Sequence, residues 1–78
     1  MKTLSDLRAA CKAYNIKVKK ETLSWGPHIS FLIDGARFGD VVGTEFYLKN
    51  KTAYEAVPKI KQEFADLTID GQKVYGLK

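Results

Sequence analysis

The chain contains few of the residues on which covalent cross-linking and enzyme chemistry depend. Its 78 residues include one cysteine and one histidine. A single cysteine excludes an internal disulfide and is typical of a reducing compartment, so we expect a cytoplasmic protein. No apolar run approaches the ~20 residues of a membrane-spanning helix, and no signal-peptide pattern follows the first residues. We therefore expect no contact with a membrane.

Charge of one sign is only weakly in excess. The chain has 13 basic and 9 acidic residues, a formal net charge of +4. This excess permits contact with nucleic acid or with an acidic protein surface and requires neither. Hydrophobic residues at 45% and charged residues at 28% are typical of a folded protein. The length predicts one domain over residues 1–78 with a single core.

Residue types that carry catalysis are present but are not arranged for it. Cys11 falls on the apolar stripe of a predicted helix, as a buried cysteine does. Ser24 and Ser30 flank His28, yet a strand neighbour only shares a face with it. One histidine and one cysteine do not make a zinc site, and the glycines match no phosphate-binding loop. We expect no enzyme activity, no metal or other cofactor and no small-molecule substrate.

Two helices are predicted from apolar side chains that recur at steps of three and four residues. Their stripes are Leu4, Leu7, Cys11 and Tyr14 for the first, and Ala53, Val57, Ile60, Phe64 and Leu67 for the second. Thr3 is expected to cap the first helix, which Asn15 ends. Thr52 and Glu55 predict a capping box for the second helix. Pro58 leaves two alternatives open, a kinked helix from Thr52 or a helix that begins near Pro58.

Strands are predicted from alternation. Ile16 and Val18 alternate with lysines, and a shift of the pattern near Lys20–Glu21 predicts a bulge or a bend. Gly26–Pro27 is predicted as the turn that follows, because proline cannot continue a ladder. A second strand then ends at the hairpin turn Asp34–Gly35.

Residues 36–48 allow one bent strand or two short ones. Asp70–Gly71 predicts a turn in a short β tail. Together these elements predict an α+β domain: a helix, a three-stranded antiparallel sheet, a helix and a short β tail, with both helices on one face of the sheet.

This order of elements, with Gly26-Pro27-His28 followed by Phe31, resembles the double-stranded RNA-binding domain family. In that family the corresponding loop enters the RNA minor groove, and a basic cluster at the start of the second helix contacts phosphates. The resemblance implies duplex RNA as a partner, with His28 in the loop and Lys49 and Lys51 in the cluster. The chain lacks two of the three cations of the family's Lys-Lys-x-Ala-Lys cluster.

Other lysines allow two interpretations. Lys59 and Lys61 join Lys49 and Lys51 around the start of the second helix, which favours an anion site there. The lysines of the first strand either contact phosphates or protect an edge strand from aggregation by their charge.

The chain also resembles, in size and style, the short accessory proteins of bacteriophages, which commonly inhibit a host enzyme or defence complex. Aromatic side chains carry much of the binding energy of protein interfaces, so Trp25, Tyr47, Tyr54 and Tyr75 are candidate anchors. We predict a non-catalytic binding module, an adaptor or inhibitor that covers a protein surface, with duplex RNA binding as the alternative. The predicted binding residues are Trp25, His28, Lys49, Lys51, Tyr54 and Lys59.

Overall fold

The computed structural model describes residues 2–77. Its elements are α1 (Leu4–Lys12), β1 (Ile16–Leu23), β2 (Gly26–Ile33), β3 (Ala36–Arg37), α2 (Thr44–Lys49), α3 (Lys51–Glu63), β4 (Thr68–Ile69) and β5 (Gln72–Lys73). Strands β1, β2 and β3 form one antiparallel sheet, and β4 and β5 form a second. The predicted order of helix, three-stranded sheet, helix and short β tail is confirmed, with α2 as an addition.

Strands β1 and β2 form a long hairpin in continuous register, from the pair Ile16–Ile33 to the pair Leu23–Gly26. The bulge predicted at Lys20–Glu21 is therefore wrong. Lys20 stays on the same face as Ile16, but Ile16 is buried and Lys20 is exposed. The core covers only the first half of this face of β1, so no apolar residue is needed at Lys20.

The turn of this hairpin is Ser24–Trp25, and the turn predicted at Gly26–Pro27 is wrong. Gly26 takes φ +129° directly after the turn, and Pro27 is part of β2. The nitrogen of Pro27 faces the edge of β2 away from β1, so proline removes no hydrogen bond from the β1–β2 ladder. Its carbonyl oxygen on that edge accepts the N–H of Tyr75 at 3.0 Å.

Residues 36–48 form neither of the strand arrangements that the sequence allowed. Strand β3 has only two residues, and Gly39 with φ +103° turns the chain away from the sheet. Helix α2 follows, and the ring of Phe46 on it packs edge-on against Tyr54 with centroids 6.4 Å apart. This contact with α3 favours a helix over a further strand.

Local caps explain where the helices begin and end. The capping box of α1 is confirmed: the N–H of Thr3 donates to Asp6 Oδ2 at 2.9 Å, and the N–H of Asp6 donates to Thr3 Oγ1 at 3.2 Å. Asn15 takes φ +59° after α1. The capping box predicted at Thr52 does not form, because α3 already begins at Lys51.

Asn50 joins α2 to α3 and caps the first rather than the second. Its side-chain Nδ2 donates to the carbonyl oxygen of Phe46 in α2 at 3.0 Å. The side chain is therefore turned away from the start of α3, which has no side-chain cap. Pro58 lies inside α3, so of the two alternatives the early start is the observed one.

The core lies between the sheet and helices α1 and α3, which pack on the same face. Its buried apolar residues are Leu7, Cys11, Ile16, Ile29, Phe31, Ile33, Ala53, Ala56, Val57, Ile60, Phe64, Leu67, Val74 and Leu77. The turn at Asp70–Gly71 is confirmed by positive φ at both residues. Beyond it, Val74 and Leu77 anchor the tail in the core. Within residues 2–77, every helix is too short or too polar to span a lipid bilayer.

Candidate functional site

Two exposed aromatic side chains lie at the turn end of the β1–β2 hairpin. Trp25 stands on the turn with 61% of its surface exposed. The ring of Tyr75 is 43% exposed and lies over Gly26, 3.5 Å from the position that a Cβ atom would take there. A Cβ atom at this position would be in ordinary van der Waals contact with the ring, so it is the φ of +129° that favours glycine here. We call Trp25 and Tyr75 the hairpin-tip patch.

The tail holds Tyr75 at this place through backbone pairing with β2. The N–H of Tyr75 donates to Pro27 O at 3.0 Å, and the N–H of Ile29 donates to Tyr75 O at 2.9 Å. Val74 and Leu77 are buried on either side of Tyr75. The backbone of Tyr75 is thus fixed while its ring faces solvent. Sequence reasoning named Tyr75 as a candidate anchor, but no local signal places it next to Trp25.

His28 lies within β2 and not in the loop that the RNA-binding resemblance implied. Its side chain is half-buried on the sheet face away from the helices. Its Nδ1 atom is 3.5 Å from Ser30 Oγ, a distance too long for a strong hydrogen bond. Its Nε2 atom lies against Gly76 of the tail. These contacts make His28 a packing residue between the sheet and the tail.

A small concavity opens beside His28, between β3 and the tail. It has a volume of about 220 Å³ and includes Ser30, Arg37 and Lys61 in its lining. The guanidinium of Arg37 is 4.0 Å from the carboxylate of Glu21, and Lys61 Nζ is 4.9 Å from the centroid of the Phe38 ring. The volume lies below the ~300–1,000 Å³ of typical small-molecule sites.

The predicted basic residues are spread along the helices. Lys49 ends α2 and Lys51 begins α3, so the structure brings these two together. Lys51 Nζ is 3.9 Å from the carboxylate of Glu55, which offsets part of its charge. Lys59 is exposed on α3. Lys61 does not join them, because its ammonium group lies over aromatic rings.

Tyr54 lies at the centre of an aromatic cluster. Its ring centroid is 5.3 Å from that of Tyr47 and 5.8 Å from that of Phe38. The side chain is half-buried, and its hydroxyl is buried with no hydrogen-bond partner among residues 2–77. Such an environment suits a packing residue that joins α2, α3 and the loop after β3.

Cys11 is fully buried in α1, and burial raises the pKa of its thiol from 9.0 to about 11. A thiol with a raised pKa carries little thiolate at neutral pH and is a poor nucleophile. The surroundings agree with its interpretation as a small apolar side chain. In the described part of the chain, His, Cys, Asp and Glu form no group of three that could hold a metal ion.

No protein-family model, no curated protein and no solved structure matches the chain.

Proposed function

We propose that this chain is a non-catalytic module that binds a protein surface, as an adaptor or an inhibitor. The observation that carries the proposal is the hairpin-tip patch, where Trp25 is 61% exposed on the two-residue turn Ser24–Trp25. A tryptophan buries ~150–250 Å² when it is covered, and exposed aromatic side chains of this kind dominate the energetics of protein interfaces. The backbone pairing of the tail with β2 holds Tyr75 at the same end of the hairpin before a partner arrives.

The charge of the chain suits an acidic partner. The net charge is +4, and Lys17, Lys19 and Lys20 are exposed on the strand that leads to the hairpin tip. Charges at the rim of an interface speed association and select partners of opposite sign. An aromatic centre with a cationic rim therefore favours a protein with an acidic surface around an apolar pocket.

The module is proposed to be non-catalytic because of the environment of its reactive groups. The thiol of Cys11 is buried with a raised pKa. Ser30 Oγ and His28 Nδ1 are 3.5 Å apart, and Ser30 is only 6% exposed. Nucleophilic catalysis needs an accessible nucleophile with a base in hydrogen-bond reach.

Duplex RNA binding is the second candidate. It is favoured by the neighbouring cations Lys49 and Lys51 at the start of α3 and by the order of helix, three strands and helix. The position of His28 within β2 weighs against it, since the family uses a loop at this point to reach the RNA minor groove.

The proposal is tested by affinity capture with the immobilised full chain, followed by titration of each purified candidate partner. Trp25→Ala is expected to weaken binding by about 2 kcal/mol or more, as for an interface anchor. Tyr14→Ala is the matched control, since Tyr14 is 43% exposed at the opposite end of the hairpin.

A partner that binds the wild type, Trp25→Ala and Tyr75→Ala with equal affinity would overturn the role of the hairpin-tip patch. Titration of a duplex of ~20 base pairs at two salt concentrations tests the second candidate. Salt-sensitive binding that prefers RNA to DNA, without any protein partner, would replace the proposed function by RNA binding.

A further inference from the structure

Strand β1 is the terminal strand of its sheet. Its residues Ile16–Leu23 pair with β2 over their full length, and the sheet order β1-β2-β3 places no strand of residues 2–77 on the other side. Burial decreases along the strand, from Ile16 at 3% exposed to Lys20 and Thr22, which are both exposed. The core therefore covers only the start of β1, and no strand of residues 2–77 pairs with its outer edge.

The backbone groups on this edge can be assigned from the register. Val18 pairs with Phe31 and Lys20 pairs with Ile29. Ile29 donates its N–H to the tail at 2.9 Å, and Phe31 accepts from the loop after β3 at 2.8 Å, so both use their backbone groups on the side away from β1. In an antiparallel ladder their partners then face away from β2. Val18, Lys20 and, by alternation, Thr22 direct N–H and C=O groups outward.

Three lysines flank this open edge on both faces of the sheet. Lys17 and Lys19 lie on the face away from the helices, and Lys20 lies on the opposite face; all three are exposed. The ion pairs among residues 2–77 involve other lysines and one arginine. The charges beside the edge are therefore available to an external group.

The row of outward groups alternates donors with acceptors. A phosphate backbone offers only acceptors, and it would meet carbonyl oxygens as well as N–H groups along β1. An extended peptide offers the complementary alternation and satisfies both. Its side chains also alternate between the two faces, where they reach the lysines on each side.

We propose that the outer edge of β1 binds an extended acidic segment of a partner protein as an additional strand of the sheet. The inference rests on the proposed protein-binding function and names the chemistry of the partner segment. A second copy of the chain is disfavoured as the occupant, because pairing of two β1 edges would bring Lys17, Lys19 and Lys20 of both copies together.

The test uses the full chain with isotope-labelled amides and a peptide of about ten residues that alternates glutamate with threonine, a length that spans β1. Millimolar peptide is expected to shift the amide resonances of Val18, Lys20 and Thr22 and to slow their hydrogen exchange. A peptide that alternates lysine with threonine is the control, and it is expected to leave these amides unchanged.

Two variants separate the backbone from the charge. Lys20→Pro removes both the cation and the outward N–H, and Lys20→Ala removes the cation alone. Affinity for the acidic peptide is expected to be about tenfold weaker for Lys20→Pro than for Lys20→Ala, in line with one lost backbone hydrogen bond and the steric block of proline. Equal affinities of the two variants, or shifts confined to side chains of the sheet face, would overturn strand addition.

Different results would overturn strand addition at β1 and the role of the hairpin-tip patch. A protein partner that depends on Trp25 but binds Lys20→Pro and Lys20→Ala equally would overturn strand addition and leave the proposed function standing. Edge amides protected by acidic peptide, without any partner that depends on Trp25, would leave strand addition standing and overturn the hairpin-tip patch as the surface that carries the proposed function. Protection of Val18 and Lys20 that grows with protein concentration, or with duplex RNA and not with peptide, would assign the edge to a second copy or to nucleic acid.

Discussion

At Gly76 the backbone has no room for a side chain. The residue takes φ +95°, and a Cβ atom there would collide with the carbonyl oxygen of Ile29 and lie 3.4 Å from His28 Nε2. Gly76 follows Tyr75 directly, so this close approach lets the tail pair with β2 and fixes Tyr75 at the hairpin tip. A residue with no side chain thus determines the position of a candidate contact residue.

Gly76→Ala is expected to lower the free energy of unfolding by about 3 kcal/mol, from the left-handed strain and the collision together. Gly71→Ala is the matched control, since Gly71 takes φ +77° and no atom of the described residues lies within 4 Å of its Cβ position. The control is expected to cost about 1 kcal/mol from strain alone. Urea unfolding measures both, and equal costs would contradict the close contact of Gly76 with Ile29.

The buried thiol of Cys11 makes the free energy of unfolding depend on pH in the alkaline range. Burial raises its pKa to about 11 in the folded chain, against 9.0 in the unfolded chain. The folded state therefore holds the proton more tightly. This stabilising contribution is fully present below the unfolded pKa of 9.0 and is lost as the pH rises through about 11.

The difference in the free energy of unfolding between wild type and Cys11→Ala is expected to shrink when the pH rises from about 8 to about 10. The comparison cancels the contribution of every other ionisable group to the free energy of unfolding, because both proteins contain the same ones. Urea unfolding at the two pH values provides the measurement. A constant difference, or rapid reaction of the folded chain with a thiol reagent at neutral pH, would show that Cys11 is not buried as described.

Among the elements, α3 contains an unfavourable residue. Pro58 lies inside the helix and is exposed, so position 58 offers no N–H to the carbonyl of Tyr54 one turn before. Proline in a helix interior lowers the free energy of unfolding by ~3 kcal/mol. Proline also reduces the entropy of the unfolded chain, but this effect stabilises the folded state by only ~0.4–1 kcal/mol.

Pro58→Ala is therefore expected to raise the free energy of unfolding by about 2 kcal/mol. Thermal unfolding followed by circular dichroism measures the change. Lys59→Ala, at the neighbouring exposed position, serves as the control and is expected to change stability by at most ~0.5 kcal/mol. A loss of stability in Pro58→Ala would mean that the packing of α3 on the sheet depends on a bend at Pro58.

Strand β1 offers a second test at the scale of elements. The N–H of Lys19 faces β2 in the register with Ser30, and that of Lys20 faces solvent. Lys19→Pro is expected to cost about 2–3 kcal/mol through the lost ladder bond and the unpaired carbonyl of β2, and Lys20→Pro about 1 kcal/mol or less. Urea unfolding measures the loss of stability in both variants. Similar losses would contradict the assignment of the outward backbone groups.

Local signals were sufficient for the elements that depend on neighbouring residues. The capping box at Thr3, the turns at Asp34–Gly35 and Asp70–Gly71 and the apolar stripe of α3 could all be predicted. The Ser24–Trp25 turn could not be, because the cost of Pro27 in a strand depends on which of its edges faces a partner strand. That information comes only from the assembled sheet.

For the same reason the candidate site could be predicted only in part, because some of it depends on the assembled sheet. The exposure of Trp25 could be predicted, because Trp25 lies at or beside the turn whether the turn is Gly26–Pro27 or Ser24–Trp25. The position of Tyr75 depends on a parallel pairing with His28 across most of the chain, which no short-range pattern encodes. Helix α2 was missed because Phe46 is positioned by contact with Tyr54 on another helix, while the local alternation of apolar residues also fits a strand.

At the scale of the whole molecule, the fold is elongated and its cations are carried by several elements. Its extents are 40 × 25 × 16 Å, and the hairpin carries Lys17, Lys19 and Lys20 while the α2–α3 junction carries Lys49 and Lys51. A nucleic-acid site needs cations that follow one phosphate track. Cations on several elements, one of them beside the Glu55 carboxylate, instead favour weak contact with any polyanion.

Binding to a duplex of ~20 base pairs is therefore expected to be weak, equal for RNA and DNA, and lost near physiological salt. The double variants Lys17→Glu/Lys19→Glu and Lys49→Glu/Lys51→Glu are expected to weaken it to a similar extent, because each removes cations from a surface without a preferred track. Fluorescence anisotropy across a salt series measures affinity and slope together. If RNA were preferred and only the Lys49/Lys51 variant abolished binding, the α2–α3 junction would be a dedicated phosphate site. The principal binding surface would then be this junction, and neither the hairpin tip nor the edge of β1.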